Sequence, residues 1–163
     1  MHIRKAELRD IGAIEKIYSE GRAFMRDTGN ATQWGSVYPP HSLILEDIKE
    51  ARLYVVTEEN TPVAVFVFFV GSDPTYAKIY GGEWKNSEEY GVLHRVCVSS
   101  YARGRGVVGV IFDHCRNVIG NLKIDTHRSN FPMQRALAKA GFEYCGIIRL
   151  ENGDERIAYQ YVK

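Results

Sequence analysis

Apolar residues recur at two different spacings along this chain, and the spacing assigns most of its elements. After a short extended run, His2–Ala6, the residues Ile11, Ile14, Ile17 and Tyr18 return at helical spacing, which predicts an amphipathic helix with Asp10 as its cap. The helix fades at the turn-forming cluster Asp27-Thr28-Gly29-Asn30. Pro39 and Pro40 keep Gln33–Pro40 out of any helix, and Ser42 is placed to cap a second one carrying Leu45, Ile48 and Ala51. Leu53–Thr57 and Val63–Val70 are rich in β-branched and aromatic residues and read as strands, with Glu58–Pro62 as the hairpin turn between them. Val63–Phe69 is apolar at nearly every position, the pattern of a central strand covered on both faces.

Gly71–Tyr90 has neither periodicity. A long irregular loop in a compact domain is often functional. Its Tyr76, Tyr80 and Trp84 fit either a packed lid or a variable surface insertion. Regular patterns then resume: a strand over Val92–Val98, a helix over Val107–Val118 and a strand over Leu122–Thr126. Pro132 opens a further helix that runs to Ala140 and stops at Gly141. Strands over Phe142–Ile148 and Arg156–Val162 follow, joined by the turn Glu151-Asn152-Gly153-Asp154. Strands and helices in this alternation predict a layered fold containing both, and 163 residues fit one domain, 1–163.

Composition narrows the function. Lys and Arg number 21 and Asp and Glu 20, so no basic field exists to drive nucleic-acid binding. Any anion must be held by a few arranged donors. Cys97, Cys115 and Cys145 are odd in number and lack CxxC spacing, which points to reduced thiols in a cytoplasmic protein and away from disulfides or a zinc site. Met1–Ala6 carries no signal-peptide apolar run, and Val63–Val70 is too short to span a bilayer, so no membrane partner is expected.

The informative chemistry lies in Val96-Cys97-Val98-Ser99-Ser100-Tyr101-Ala102-Arg103-Gly104-Arg105-Gly106-Val107-Val108-Gly109, where a strand passes through a short turn into a helix. The first amides of that helix have no partners within it, and the helix dipole favours an anion there. Gly104 and Gly106 let a phosphate approach the backbone, and Arg103 and Arg105 are able to supply charge-assisted bonds. The pattern lacks the Lys-Ser/Thr pair of a Walker A loop. It matches the letters GxGxxG, but too late in the chain for a dinucleotide fingerprint, which belongs in the first βαβ unit. A disordered RG segment would repeat, whereas this one lies between two apolar elements.

Arg103-Gly104-Arg105-Gly106-Val107 resembles the [QR]-x-x-G-x-[GA] motif of the GCN5-related N-acetyltransferase (GNAT) family, whose loop amides hold the coenzyme A pyrophosphate. Val108 stands where that family has Gly or Ala, with Gly109 next. Ile3-Arg4-Lys5-Ala6 with Asp10-Ile11 is similar to the family's opening, and Asn130 followed by Lys139-Ala140-Gly141-Phe142 resembles its N-x(8)-K-x-G-F ending. The resemblance covers the whole chain. It implies an α/β (α+β) GNAT fold: a mixed, mostly antiparallel sheet of about six to seven strands, about four flanking helices, and a splay between the fourth and fifth main strands.

The same resemblance implies an acetyl-CoA-dependent N-acetyltransferase acting by direct transfer on a primary amine of a small molecule or peptide. A catalytically silent acyl-CoA-binding module is the other reading. Cofactor contacts would come from Val96, Cys97 and Val98, from Arg103 through Gly109 (Gly104, Arg105, Gly106, Val107 and Val108 between them), and from Asn130 and Met133. Leu93-His94-Arg95-Val96-Cys97-Val98 resembles the L-H-x-L-x-V strand of arylalkylamine N-acetyltransferases, whose histidine relays a proton; this makes His94 the candidate base. His94 hydrogen-bonded in the sheet with no catalytic role is the alternative, and His127, Glu89 and Tyr90 are further candidates. Many members have a tyrosine acid seven residues after the asparagine. Leu137 stands there, so either another group, such as Tyr144, protonates the thiolate, or it leaves without an acid. Cys97 reads as a small buried residue more readily than as a nucleophile. The acceptor would lie over the first two helices, against Phe24, Trp34 and Tyr38, unless these aromatics form a minicore that anchors the loop. A homodimer is compatible with the family and not fixed by the sequence.

Overall fold

Arg4 and Asp10 set the start of the fold. In the computed structural model, which describes all 163 residues, Arg4 sits in strand β1 (His2–Lys5) and places its two terminal nitrogens on the two carboxylate oxygens of Asp10, at 2.7 and 2.8 Å. Asp10 Oδ2 also accepts from the Glu7 amide at 2.8 Å. Asp10 therefore closes a short 3-10 turn, Leu8–Asp10, and makes no side-chain cap on helix α1 (Ile11–Asp27), contrary to expectation. A bidentate guanidinium is a stronger partner for a carboxylate than one amide. Helix α2 (His41–Lys49) likewise begins before Ser42, with Pro40 as its N-terminal flank.

The remaining elements are β2 (Leu53–Glu58), β3 (Thr61–Val70), β4 (Gly91–Val98), α3 (Val107–Val118), β5 (Asn121–Thr126), α4 (Phe131–Lys139), β6 (Glu143–Arg149) and β7 (Glu155–Val162). The strands form one sheet in the order β1-β2-β3-β4-β5-β7-β6. The β1–β2, β2–β3, β5–β7 and β6–β7 pairs are antiparallel, and β4–β5 is parallel. The parallel register sets Gly91, Val92 and Leu93 against Leu122, Lys123 and Ile124 and ends there, with His94–Val98 outside it. That is consistent with the expected splay between the fourth and fifth strands. No helix is long and apolar enough to cross a membrane.

Packing divides the chain into two units. The first comprises Met1–Phe68 and His94–Ile111. Here α1 buries the face carrying Ile14, Ile17 and Tyr18, and β3 is buried from Val63 to Phe68, as its unbroken apolar run requires. The β2–β3 turn is tighter than expected: Glu58 pairs with Thr61, and the two residues between them, Glu59 and Asn60, both take left-handed backbone (φ 48° and 67°), the geometry of a type I′ hairpin. Gly21 brings α1 close to β4, because a Cβ there would lie 2.3 Å from Cys97 Sγ. Glycine inside a helix costs about 1 kcal/mol. Burying one large apolar side chain stabilises by roughly 2 kcal/mol and offsets that cost.

The second unit comprises Phe69–Leu93 and Phe112–Lys163. One face of β5 carries Asn121, Lys123 and Asp125 at alternate positions. The irregular segment 71–90 satisfies all three. Asn121 donates to Asn86 Oδ1 and to the Glu89 carbonyl, each at 3.0 Å. The Lys123 ammonium lies 4.2 Å from the Trp84 ring and 3.9 Å from that of Tyr90. The Tyr76 hydroxyl donates to Asp125 at 2.7 Å. Buried Gln160 joins this network through Asn86, Asn121 and the Lys85 amide. Tyr76 packs with Val92, Ile148 and Ala158 in the unit's core. Tyr76 is the segment's only buried residue, and its Asn86, Glu89, Trp84, Tyr90 and Tyr76 answer the polar face of β5.

The Arg4–Asp10 pair carries a pH signature. Its hydrogen bonds with Arg4 hold the buried Asp10 carboxyl below its usual range despite desolvation. A depressed folded-state pKa gives stability that is present above the unfolded pKa, near 3.9, and is lost as pH falls through the folded value. Asp10→Asn is expected to cost about 2–3 kcal/mol at neutral pH. In urea titrations at several pH values, that deficit should shrink as the wild type is acidified below about pH 4. An unchanged difference across the range would refute the assignment.

Candidate active site

The passage from β4 into α3 is built from successive tight turns. The Ser99 amide still bonds to the Val63 carbonyl at 2.9 Å. The next amide, Ser100, donates to Glu20 Oε2 of α1 at 2.6 Å, and this bond holds the Glu20 carboxyl below its ordinary pKa against the opposing effect of burial. The Ala102 amide closes on Ser99, and that of Arg105 on Ala102 at 3.3 Å. Gly104 and Gly106 both have φ 79°, a left-handed geometry that admits glycine without strain. The first intrahelical donor of α3 is Val110, which bonds to Gly106. The amides of Val107, Val108 and Gly109 precede it and are left for an external acceptor.

Gly104, Arg105 and Gly106 are exposed. A Cβ built on Gly104, Gly106 or Gly109 meets no atom within 4 Å. The glycines therefore leave open space beside the start of α3, where unpaired helix-start amides favour an anion. The arginines are placed otherwise than the motif alone suggests. Arg103 Nη2 donates to the Val98 carbonyl at 3.3 Å, and its guanidinium lies 4.0 Å above the Phe24 ring. Arg105 makes two 3.0 Å bonds to Glu58 and lies 5.2 Å from the Tyr101 ring. The turn thus presents backbone amides first, with both guanidinium groups held by protein.

Along β4, Val96 and Val98 are half-buried and Cys97 points inward. Cys97 Sγ lies 3.3 Å from the Ile17 carbonyl, and burial pushes the thiol up to about 12. Burial and a raised pKa fit a packing role better than that of a nucleophile. His94 is half-buried, with bonded neighbours.

Arg95, which the pattern did not single out, has φ 50°, a left-handed conformation that costs a non-glycine residue about 1–2 kcal/mol. Its Nη2 lies 2.5 Å from Asp47 Oδ2, its Nη1 donates to the Tyr38 hydroxyl at 3.1 Å, and its carbonyl accepts from the Tyr18 hydroxyl at 3.3 Å. Burial pushes the Tyr18 phenol far up, which keeps it a donor. Asp47 is buried on α2 beside Ile44. An arginine in an otherwise apolar strand and an aspartate on the buried face of a helix were the available signals, because buried charges are nearly always paired.

Of the acceptor-side aromatics, Phe24 is half-buried under Arg103. Trp34 is buried, with its ring centroid 5.5 Å from Tyr18 and 6.3 Å from Tyr38. Tyr38 is exposed. In the second unit, Asn130 Oδ1 caps α4 by accepting from the Met133 amide at 3.3 Å. Leu137 is fully buried. Tyr144 is exposed and meets the Tyr159 ring edge-on at 5.9 Å. His127 Nδ1 accepts from the Ser129 amide at 3.0 Å, and burial lowers its pKa, helped by Arg156 and Arg128.

A mixed sheet whose fourth strand runs through a glycine turn into a helix defines the class of fold, and solved structures give it a family. An acetyltransferase of the GNAT family from Streptococcus agalactiae 2603 superposes with a TM-score of 0.91 at 30% identity, over 99% of this chain and 95% of the other. A candidate acetyltransferase from Staphylococcus aureus MU50 follows at TM-score 0.73 and 22% identity, over 99% of each chain. A ribosomal-protein-alanine N-acetyltransferase from Brucella melitensis shares the fold at TM-score 0.66 and 17% identity, over 100% of each. No family model and no curated protein matches the sequence. The chain belongs to the GNAT family and is an N-acetyltransferase of that type.

If Cys97 serves packing alone, Cys97→Ala should keep acetyl transfer within about threefold of wild type while costing about 1–2 kcal/mol of stability. Loss of turnover in a folded variant, or trapping of an acetylated wild-type thiol by mass spectrometry, would contradict this.

Proposed function

We propose that the chain moves the acetyl group of acetyl-CoA directly to a primary amine of a small molecule or peptide, in the cytoplasm and without nucleic acid or membrane as partner. The open, amide-lined turn at Gly104–Gly109 carries this reading. Val107, Val108 and Gly109 would bind the pyrophosphate through the backbone at the positive end of α3. Arg105 is available to join them: its pair with Glu58 is partly exposed and worth about 0–1 kcal/mol, less than a charge-assisted bond to phosphate. Arg103, braced by Val98 and Phe24, would hold the turn's shape.

The bound thioester supplies the acetyl group, and the protein's work is positioning and proton handling. The amides of Val96, Cys97 and Val98 are proposed to orient the cofactor and stabilise charge on the carbonyl oxygen. His94 would take the proton from the amine as general base. Tyr144 would return a proton to the sulfur, since Leu137 has none to give. Asn130 and Met133 complete the proposed cofactor contacts, and Phe24, Trp34 and Tyr38 the acceptor side. A homodimer remains part of this reading.

Gly106→Glu should abolish acetyl-CoA binding by isothermal calorimetry, because it sets bulk and negative charge against the phosphates on a residue at φ 79°. Asn130→Ala should weaken binding about tenfold or less. Retained affinity in Gly106→Glu would displace the cofactor from this turn. With an amine panel and thiol release as readout, His94→Ala should lower kcat about 100-fold, and Tyr144→Phe about tenfold. Full activity in His94→Ala would pass the base role to another group.

A further inference from the structure

Arg95 combines features that packing alone does not call for. It is a charged residue in an apolar strand, its backbone is left-handed, and its Nε is buried with no acceptor. It stands immediately before the amides of Val96–Val98. Three separate pieces of chain grip it. Tyr18 of α1 holds its carbonyl, Asp47 of α2 holds one end of its guanidinium, and Tyr38 of the connecting segment holds the other. Arg22 of α1 in turn donates to the Tyr38 carbonyl at 3.2 Å, and Trp34 packs between Tyr18 and Tyr38.

We infer that Arg95 is a positioning residue for acetyl transfer: the grip of Tyr18, Tyr38 and Asp47 fixes the left-handed turn in β4 that aims the Val96–Val98 amides. The deduction rests on the proposed role of those amides. A residue at φ 50° rotates the peptide planes on either side of it relative to a regular strand, so the direction of the following amides depends on that one dihedral. An arginine left to itself relaxes to extended or right-handed backbone. Side-chain and carbonyl bonds from elements that do not otherwise belong to the strand over-determine the conformation, as strained residues at working sites require. The grip also ties Tyr38, on the proposed acceptor side, to the proposed thioester side through a single residue. A change in how Tyr38 is held is therefore transmitted to the amides.

The deciding comparison is Arg95→Ala against Arg95→Gly. Both remove the guanidinium and leave Asp47 and Tyr38 equally unpaired, but only glycine adopts φ 50° without strain. With acetyl-CoA as donor and the best amine of the panel as acceptor, Arg95→Ala should lower kcat about 10–100-fold with KM for acetyl-CoA nearly unchanged. Arg95→Gly should recover at least about a third of wild-type kcat. Amide hydrogen exchange, which needs no activity, should quicken at Val96–Val98 in Arg95→Ala and much less in Arg95→Gly. Tyr18→Phe and Tyr38→Phe, which each delete one hydroxyl, should lower kcat about threefold to tenfold and stand in should the Arg95 variants fail to fold. Equal kcat and equal exchange in Arg95→Ala and Arg95→Gly, or wild-type kcat in both tyrosine variants, would overturn the inference. Failure of the wild type to bind acetyl-CoA would instead sink the proposed function, while the exchange comparison would still judge the grip.

Discussion

A helix that starts in the open has amides with nowhere to go, and this constraint organises the first unit. The chain leaves β4 at Ser99 and uses the Ser100, Ala102 and Arg105 amides in its own turns and on Glu20. It then enters α3 with three amides unspent, because intrahelical bonding begins only at Val110. Each of these donors is costly to bury without a partner, which favours a turn at the surface: Gly104, Arg105, Gly106 and Gly109 are exposed, Val108 is half-buried, and Val107 is buried. Glycines at 104 and 106 keep side chains off that surface, and Glu20 fixes its approach. With a net charge of +1, the protein has no broad positive field to hold an anion. Under the proposed function, a concentrated set of backbone dipoles at this turn would serve in its place.

Much of this was legible because it depends on residue type at fixed spacing. The α1 stripe of Ile14, Ile17 and Tyr18, the apolar run of β3, the start of α4 with Pro132 in its first turn and the glycine turn all appear where the residue pattern puts them. The failures have a common cause, which is a long-range partner outbidding a local one. Asp10 reads as a helix cap until Arg4 takes both its oxygens. The Arg105–Glu58 pair, 47 residues apart in sequence, is likewise a long-range contact that the glycine motif does not announce. Tertiary ion pairs carry no period, so no window of sequence reveals them.

The segment 71–90 shows the same limit on a larger scale. It lacks a pattern because its job is to match another pattern, the alternation of Asn121, Lys123 and Asp125 on β5. Buried polar groups are tolerated only when paired. Here an amide network answers the asparagine, two aromatic rings the ammonium and a phenol the carboxylate. Desolvation lowers the Lys123 pKa, and the electron-rich faces of Trp84 and Tyr90 stabilise the charge that remains. An irregular backbone suits this task better than a helix or strand, because the three partners are needed at unequal intervals.

The buried cysteine and the strained arginine divide the labour of β4. Side chains on a strand alternate in direction, so Cys97 faces the packed interior against Gly21, where its thiol stays protonated and chemically inert. A buried, protonated sulfur favours the proposed direct transfer over a covalent relay along this strand. Direct transfer places the whole demand on geometry: the amine and the thioester must meet with the carbonyl already polarised. Backbone amides suit that demand, since they cannot swing away as side chains do, but their direction is only as firm as the dihedrals behind them. The arginine held from both flanking helices and the segment between them is the point at which that firmness is imposed.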